Sequence, residues 1–226
     1  PHPHGFIPQQ AYHGLASLLF VEDEEEAALR SALDLALGQT EIPLVLQDRS
    51  FDAQGRLQYE PSHDEKFAGF IGGRLLVNLT ERPVIQAARR IYRFRILNGS
   101  NARTYRLAFL QDGRRLGYYV AGTDGGLLAV AQRVEQTYIS PGQRLDLLLD
   151  LREAKGSRPV TLATLAFDPM HNESEGGHHQ ENREVHRVAH PGVGPVGHER
   201  AFRVRIGTDV EVARAVCRER PAAHRE

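Results

Sequence analysis

The chain has 226 residues, of which 41% are hydrophobic and 25% charged, proportions typical of a globular protein. Its net charge of −1 excludes a global electrostatic field that would recruit nucleic acid or an anionic membrane. No apolar run approaches the roughly 18 residues that a membrane-spanning helix needs. Cys217 is the only cysteine, so no internal disulfide can form, and we interpret it as part of a loose tail although its arginine neighbours could activate a thiol.

The chain opens with PHPHG, which places two histidines one residue apart. In an extended segment, which Pro1 and Pro3 favour, His2 and His4 would share one face. Two imidazoles on one face are the smallest unit of a copper or zinc site. A disordered terminus explains the same pattern, so both interpretations stay open at this point.

Short apolar or alternating runs recur along the chain and predict β-strands. They cover residues 14–22, 42–51, 90–97, 144–151, 159–167 and 201–206. In the third run, Tyr92, Phe94 and Ile96 alternate with two arginines, and in the fourth every second residue is leucine. Turn-forming clusters at 98–101, 123–126 and 140–143 separate the runs, and the whole pattern predicts an antiparallel β-sandwich.

One segment favours a helix instead. Residues 22–38 carry apolar side chains at helical spacing, and Asp23 followed by Glu26 is a capping-box pair. Gly38 is a suitable residue for the end of the helix. We predict a single surface helix, whose acidic start favours the helix dipole rather than a metal ion.

Residues 171–198 are polar, rich in glycine and histidine, and show no periodicity, which indicates a linker or a long loop. The histidines of this stretch are His171, His178, His179, His186, His190 and His198. Imidazoles on such a loop could capture copper or nickel loosely, but a solvated linker is the favoured interpretation.

The opening PHPHGFIPQQAYHGLASLLFVED resembles the end of the first cupredoxin domain of bacterial multicopper oxidases, the laccase and cuprous-oxidase group. In that family an H-P-H-x-H-G stretch is followed by G-L-A-G and an apolar strand ending in E-D, and here Ser17 replaces the last glycine. Further similarity, in order, lies at 42–57, 72–83, 92–109, 122–129 and 134–151. The resemblance covers most of residues 1–165.

The resemblance implies an all-β fold, with a cupredoxin-like Greek-key β-sandwich as a second domain and a remnant of a preceding cupredoxin domain. Residues 1–41 would be the C-terminal remnant of the first domain, and 42–170 the second domain. Residues 171–198 would be the His/Gly-rich linker, and 199–226 the start of a third domain or a divergent tail.

The same resemblance implies copper as the cofactor. Aligned on x-His-Gly, His2 matches a ligand of the trinuclear copper cluster, whereas His4 matches a histidine that normally is not a ligand and is the weaker candidate. His13 has no ligand counterpart. Cys217 lacks the H-C-H context of the type 1 copper ligand, so we expect the isolated chain to be inactive.

The resemblance implies a function for an intact parent protein. The parent would couple one-electron oxidation of a phenolic or metal-ion substrate to four-electron reduction of O2 to water. Its partners would be the missing first and third cupredoxin domains, a small reducing substrate and O2, and its location would be periplasmic or extracellular. The alternative is a copper-free cupredoxin-repeat protein with a structural or partner-binding role.

Two further possibilities are disfavoured. A two-domain protein of the small-laccase or nitrite-reductase type would need copper ligands in its second domain. Residues 43–165 contain a single histidine, His63, which we expect to be solvated. A methionine-rich cuprous-binding insert is not supported either, because Met170 is the only methionine.

Overall fold

The structure of the chain is a computed structural model that describes residues 3–166 and 199–206. Within these ranges the helices are α1 (Ile7–Tyr12), α2 (Glu24–Leu33) and α3 (His63–Ala68). The strands are β1 (Glu41–Phe51), β2 (Leu57–Gln58), β3 (Arg74–Val77), β4 (Thr80–Glu81), β5 (Val84–Ala87), β6 (Ile91–Asn98), β7 (Tyr105–Gln111), β8 (Arg114–Leu116), β9 (Tyr118–Thr123), β10 (Gly126–Val134), β11 (Thr137–Ile139), β12 (Arg144–Asp150), β13 (Val160–Thr164) and β14 (Glu199–Ile206).

The first sheet has the strand order β10-β9-β12-β6-β1-β3-β4, and β2 extends it by pairing with the end of β1. Neighbouring strands are antiparallel except for β1 and β6, which run parallel. The alternating leucines of β12 all lie in the core, as the period-two pattern predicts. Strand β6 differs from its prediction, because the arginines that alternate with its apolar residues are buried too.

The second sheet has the order β11-β7-β13-β14-β5, with β8 paired to β7. Strand β14 lies inside this sheet, antiparallel to β13 and parallel to β5. The sequence placed this strand at the start of a third domain or in a divergent tail. Its pairing makes it a strand of the same sandwich.

One hydrophobic core joins the two sheets. Phe94 from the first sheet contacts Phe109 from the second at 5.5 Å between ring centroids, and Phe109 meets Tyr118 edge-on at 5.1 Å. Leu147 and Leu162, one from each sheet, are fully buried in the same core. The predicted β-sandwich is therefore confirmed, but its sheets are mixed rather than purely antiparallel, because β1 pairs with β6 and β14 with β5 in parallel.

Residues 3–22 do not form the predicted extended segment and strand. Residues 3–6 make a turn, closed by a hydrogen bond from the Phe6 amide to the Pro3 carbonyl, rather than an extended segment. Helix α1 follows, with Pro8 in its first turn, where a missing amide proton costs nothing. Residues 15–22 pair with no strand of the described chain. They do not form a β-strand, because a β-strand needs a neighbouring strand for its backbone hydrogen bonds.

Helix α2 is shorter than its prediction. Asp23 caps its start by accepting a hydrogen bond from the Glu26 amide at 2.9 Å. The helix ends at Asp34, which adopts the left-handed conformation with φ 51°, so that Leu35 turns inward. Gly38, the predicted end, lies instead in the turn before β1 with φ 78°.

None of the helices in the described ranges is long and apolar enough to cross a bilayer.

Candidate functional site

The histidines predicted from the sequence are not brought together in the described residues. His4 lies exposed in the turn at the start of the chain, and His63 is exposed at the start of α3, beside the Phe67 ring. His13 donates one hydrogen bond from Nδ1 to the Gln9 carbonyl at 2.7 Å and packs edge-on against Tyr59. His2, the candidate trinuclear-cluster ligand, lies outside the described residues, and so do Met170, the histidines of 171–198 and Cys217.

Across residues 3–166 and 199–206, no group of three or more His, Cys, Asp or Glu side chains is arranged to hold a metal ion. A copper centre of the multicopper type needs several imidazoles around each ion. His4 is a single exposed imidazole in a turn. The described residues therefore do not fit a complete copper site.

The structure instead fixes the segment that carries the histidine motif onto the sandwich at two places. The first is Tyr12, at the end of α1, which is 1% exposed. Its hydroxyl oxygen accepts a hydrogen bond from the Ser50 amide of β1 at 2.6 Å, and burial raises the pKa of the hydroxyl. The Arg49 guanidinium lies 4.7 Å from the centre of the Tyr12 ring and donates to the Ala11 carbonyl at 3.1 Å. A buried arginine thus binds the carbonyl end of the helix, which carries partial negative charge.

Two more aromatic rings complete this contact, and we name Tyr12, Tyr59 and Phe70 the aromatic anchor. Tyr12 lies 4.6 Å from Tyr59 and 5.3 Å from Phe70, the latter edge-on, between ring centroids. Such offset and edge-on pairs stabilise beyond their buried area. The Asn101 side chain adds a hydrogen bond to the Pro8 carbonyl at 2.9 Å, so the sandwich holds both ends of α1.

The loop beside the aromatic anchor is held by Asp48. Its carboxylate accepts hydrogen bonds from the Gly72 amide at 2.6 Å and from the Arg103 guanidinium at 3.2 Å. A Cβ at Gly72 would lie 2.3 Å from the Arg49 backbone nitrogen, so only glycine fits against β1 at this position.

The second place is a buried group of charges that we name the ion cluster. Its members come from α2, β1, β6 and β12 and are Glu26, Arg30, Glu41, Arg93, Arg95 and Asp146. Arg93, with a fully buried side chain, donates to the two carboxylate oxygens of Glu26 at 2.6 and 2.7 Å. Arg95 donates to the same carboxylate at 2.6 Å. A bidentate arginine–carboxylate pair of this kind is the strong form of a charged hydrogen bond.

The remaining pairs of the ion cluster link the strands to one another and to the helix. Arg93 also pairs with Asp146 of β12, and Arg95 pairs through Nε with Glu41 of β1. The Arg95–Glu41 contact is an ion pair without a hydrogen bond, because the Nε–H of Arg95 is not aligned with the carboxylate. Arg30 of α2 donates from Nε to the Glu41 carboxylate at 2.8 Å.

The ion cluster also decides the charge state of its central carboxylate. The hydrogen bond from Arg93 is the largest of the effects that lower the pKa of Glu26; burial opposes it, and the charges of Arg93, Arg95 and Arg30 lower the pKa further. Three acidic side chains meet here, but the arginines neutralise them, so the cluster is ionic rather than metal-binding.

Sequence reasoning missed Tyr12, Arg49 and the role of Glu26. The capping-box prediction gave Glu26 a role within its own helix, whereas its side chain leaves α2 for the arginines of β6. The sequence does contain a signal, since two arginines on one face of a strand need carboxylate partners if that face is buried. It does not say which carboxylate supplies them.

Between the two contacts the chain has no regular secondary structure and is mostly apolar, and we name residues 15–21 the apolar strip. Phe20 turns inward, beneath the Arg95 guanidinium at 4.7 Å from the ring centre. Leu15, Leu19 and Val21 point away, and Leu19 is 90% exposed. The strip is thus held at both ends while its outer side chains face solvent.

Comparison with known proteins relates this arrangement to a family. No protein-family model matches the chain. It is 40% identical over 147 residues to the cell division protein FtsP of Xenorhabdus nematophila, a match that covers 65% of this chain and 29% of that protein. It is 32% identical over 158 residues to the multicopper oxidase mco of Staphylococcus haemolyticus, covering 70% of this chain and 33% of that protein.

Solved structures give the same result. The McoA multicopper oxidase of Aquifex aeolicus is 38% identical, with a TM-score of 0.75 over 91% of this chain and 40% of its own. The laccase-like multi-copper oxidase CueO of Ochrobactrum sp. is 29% identical, with a TM-score of 0.69 over 94% of this chain and 40% of its own. The chain therefore spans less than half the length of these relatives. The resemblance stated from the sequence is confirmed, and so is the cupredoxin-like fold.

Proposed function

The chain resembles the bacterial multicopper oxidases in sequence and in its cupredoxin-like fold, and from this premise we propose that it is part of such an oxidase. In this proposal the parent protein couples one-electron oxidation of a phenolic or metal-ion substrate to four-electron reduction of O2 to water. The similarity to McoA, at 38% identity over 91% of the chain, is the observation that carries the proposal.

Within that parent, residues 1–41 would end the first cupredoxin domain, and the sandwich would be a second domain without copper ligands. His2 would bind one copper of the trinuclear cluster, and His4 is the weaker candidate. Bound copper would supply the one-electron redox chemistry and the reduction of O2. This chain would contribute the scaffold, because the aromatic anchor holds the segment that carries both histidines against β1.

A second candidate function is supported by the relatives themselves. Identity to the FtsP cell division protein reaches 40% over 147 residues, slightly more than to any of the oxidases named above. The alternative is therefore a copper-free protein in which the same sandwich serves a structural or partner-binding role. Either protein would act in the periplasm or outside the cell.

The longer parent protein distinguishes the two candidates. We expect the purified parent to retain copper and to consume O2 when a phenolic or a cuprous substrate is added. A His2→Ala variant should lose copper and O2 consumption, whereas His13→Ala, whose ring packs against Tyr59, should keep both. A parent that binds no copper and leaves O2 untouched would overturn the oxidase and favour the FtsP-like role.

The 226-residue chain alone provides a negative control. We expect no intense absorption at about 600 nm when cupric ion is added, because that band requires a cysteine ligand in a type 1 site. Cys217, the only cysteine, lacks the H-C-H context of that ligand. The measurement is an absorption spectrum with O2 uptake on a phenolic dye. An intense band that survives removal of free copper would contradict the expectation.

A further inference from the structure

In the ion cluster, the charges that come from the sandwich balance one another, and so do the charges that come from α2. A permanently buried salt-bridge network needs only an overall balance. The sandwich contributes two cations, Arg93 and Arg95, and two anions, Glu41 and Asp146. The α2 segment contributes a single pair, Glu26 and Arg30. The pairs are crossed, because the helix carboxylate binds the sandwich arginines and the helix arginine binds the sandwich carboxylate Glu41.

Crossed pairing has a physical consequence. Breaking a buried ion pair is strongly destabilising mainly because an uncompensated charge stays behind in the protein. Here each side is neutral by itself. If α2 leaves, Arg93 keeps Asp146 and Arg95 keeps Glu41, so no member of the sandwich is left without an opposite charge.

We propose that Glu26 is the latch of a separable contact, which holds α2 and the apolar strip on the sandwich and which acid opens before the sandwich itself unfolds. The latch is ionic, whereas the sandwich is held by an apolar core that contains residues of both sheets and no member of the ion cluster. Charged hydrogen bonds depend on the protonation state of Glu26, and the apolar core does not.

The groups around Glu26 agree with this order. It faces Arg93 and Arg95 of β6, with Glu41 of β1, Asp146 of β12 and its own neighbour Arg30 close by. Beyond the ion cluster, Glu22 pairs with Arg30, and at the end of the helix Arg90 pairs with Asp34 at 2.9 Å. Since the arginines hold the pKa of Glu26 below its usual range, the latch is fully closed above that range. It opens as the pH falls through the lowered pKa.

Hydrogen exchange of the whole chain tests the latch at neutral pH. In Glu26→Gln, whose side chain keeps its size and loses its charge, we expect exchange in residues 24–33 to accelerate at least about tenfold, because the loss of even one charged hydrogen bond has this effect. Exchange in strands β6 and β12 should stay unchanged. The matched control is Glu25→Gln, an exposed carboxylate in the same helical turn, which should change exchange by less than about twofold.

Three outcomes would overturn the proposal. Exchange in Glu26→Gln equal to that of the unmodified chain would show that Glu26 holds nothing. Equal acceleration in Glu25→Gln would assign the effect to the helix dipole. Joint acceleration of helix and strands would mean that the contact is part of the core.

The unmodified chain supplies a second test that does not depend on folding of a variant. As the pH is lowered, residues 24–33 should lose protection at a higher pH than β12, once exchange is corrected for its intrinsic pH dependence. Simultaneous loss, or loss in β12 first, would overturn the latch.

Discussion

Removing the Tyr12 hydroxyl tests whether the aromatic anchor stabilises the fold. In Tyr12→Phe the ring keeps its contacts with Tyr59 and Phe70, while the Ser50 amide loses the oxygen that it binds at 2.6 Å. An amide left without an acceptor next to a buried ring costs about 1–3 kcal/mol. We therefore expect the free energy of unfolding to fall by that amount.

The assay is urea denaturation followed by circular dichroism, from which the midpoint and the slope give the free energy of unfolding. The matched control is Tyr119→Phe, which removes the same atom from a side chain that is 37% exposed. A surface change of this kind alters stability by less than about 0.5 kcal/mol. If the two variants unfold at the same urea concentration, the Tyr12 hydroxyl does not hold α1 on the sandwich.

Three other substitutions extend the test to the rest of the chain. Gly72→Ala should lower the free energy of unfolding by about 1–3 kcal/mol, because the added Cβ would lie 2.3 Å from the Arg49 backbone. The control Gly73→Ala, where the added Cβ would have open space, should leave the free energy of unfolding unchanged. Equal urea midpoints for the two variants would contradict the prediction. Leu147→Ala should cost about 2–5 kcal/mol, since it opens a cavity in the core shared by both sheets, and a smaller loss in the same assay would argue against that packing. Leu19→Asp should leave the thermal midpoint nearly unchanged and raise the soluble fraction, measured by light scattering, and a large fall in the midpoint would mean that Leu19 is packed.

The parts of the fold that follow from local pattern were predictable. The alternating leucines of β12 and the apolar residues of β6 mark the face that each strand turns to the hydrophobic core, because successive side chains of a strand point to opposite sides. The turn clusters at 98–101 and 123–126 connect strands as expected.

The parts that depend on distant partners were not predictable. Glu26 and Arg93 are 67 positions apart in the sequence. Nothing in the local sequence indicates that the Glu26 side chain points away from its own helix and binds Arg93. The apolar run at 14–22 has the composition of a strand, but strand formation needs a pairing neighbour and the described chain offers none. Helix α2 ends before the predicted Gly38, because the backbone of Asp34 adopts the left-handed conformation and turns Leu35 into a buried position.

The candidate site was predictable only in part. The motif with His2 and His4 was visible in the opening residues, and its copper-binding role stays a prediction, whereas the family resemblance of the chain is confirmed. What holds α1, the helix that follows the motif, was not visible. Tyr12 and Arg49 meet only after α1 folds back on β1, and a tyrosine between alanine and histidine shows no periodicity that would reveal this contact.

The position of β14 has a consequence for synthesis on the ribosome. Every strand of the first sheet has been made once Asp150 is complete, whereas the second sheet waits for residues 199–206. Until then β5 and β13 each lack the neighbour that β14 supplies, and their open edges can pair with other chains. In this interval the second sheet of the nascent chain is incomplete. Slow elongation between β13 and β14 therefore prolongs the time in which the chain can aggregate or bind chaperones.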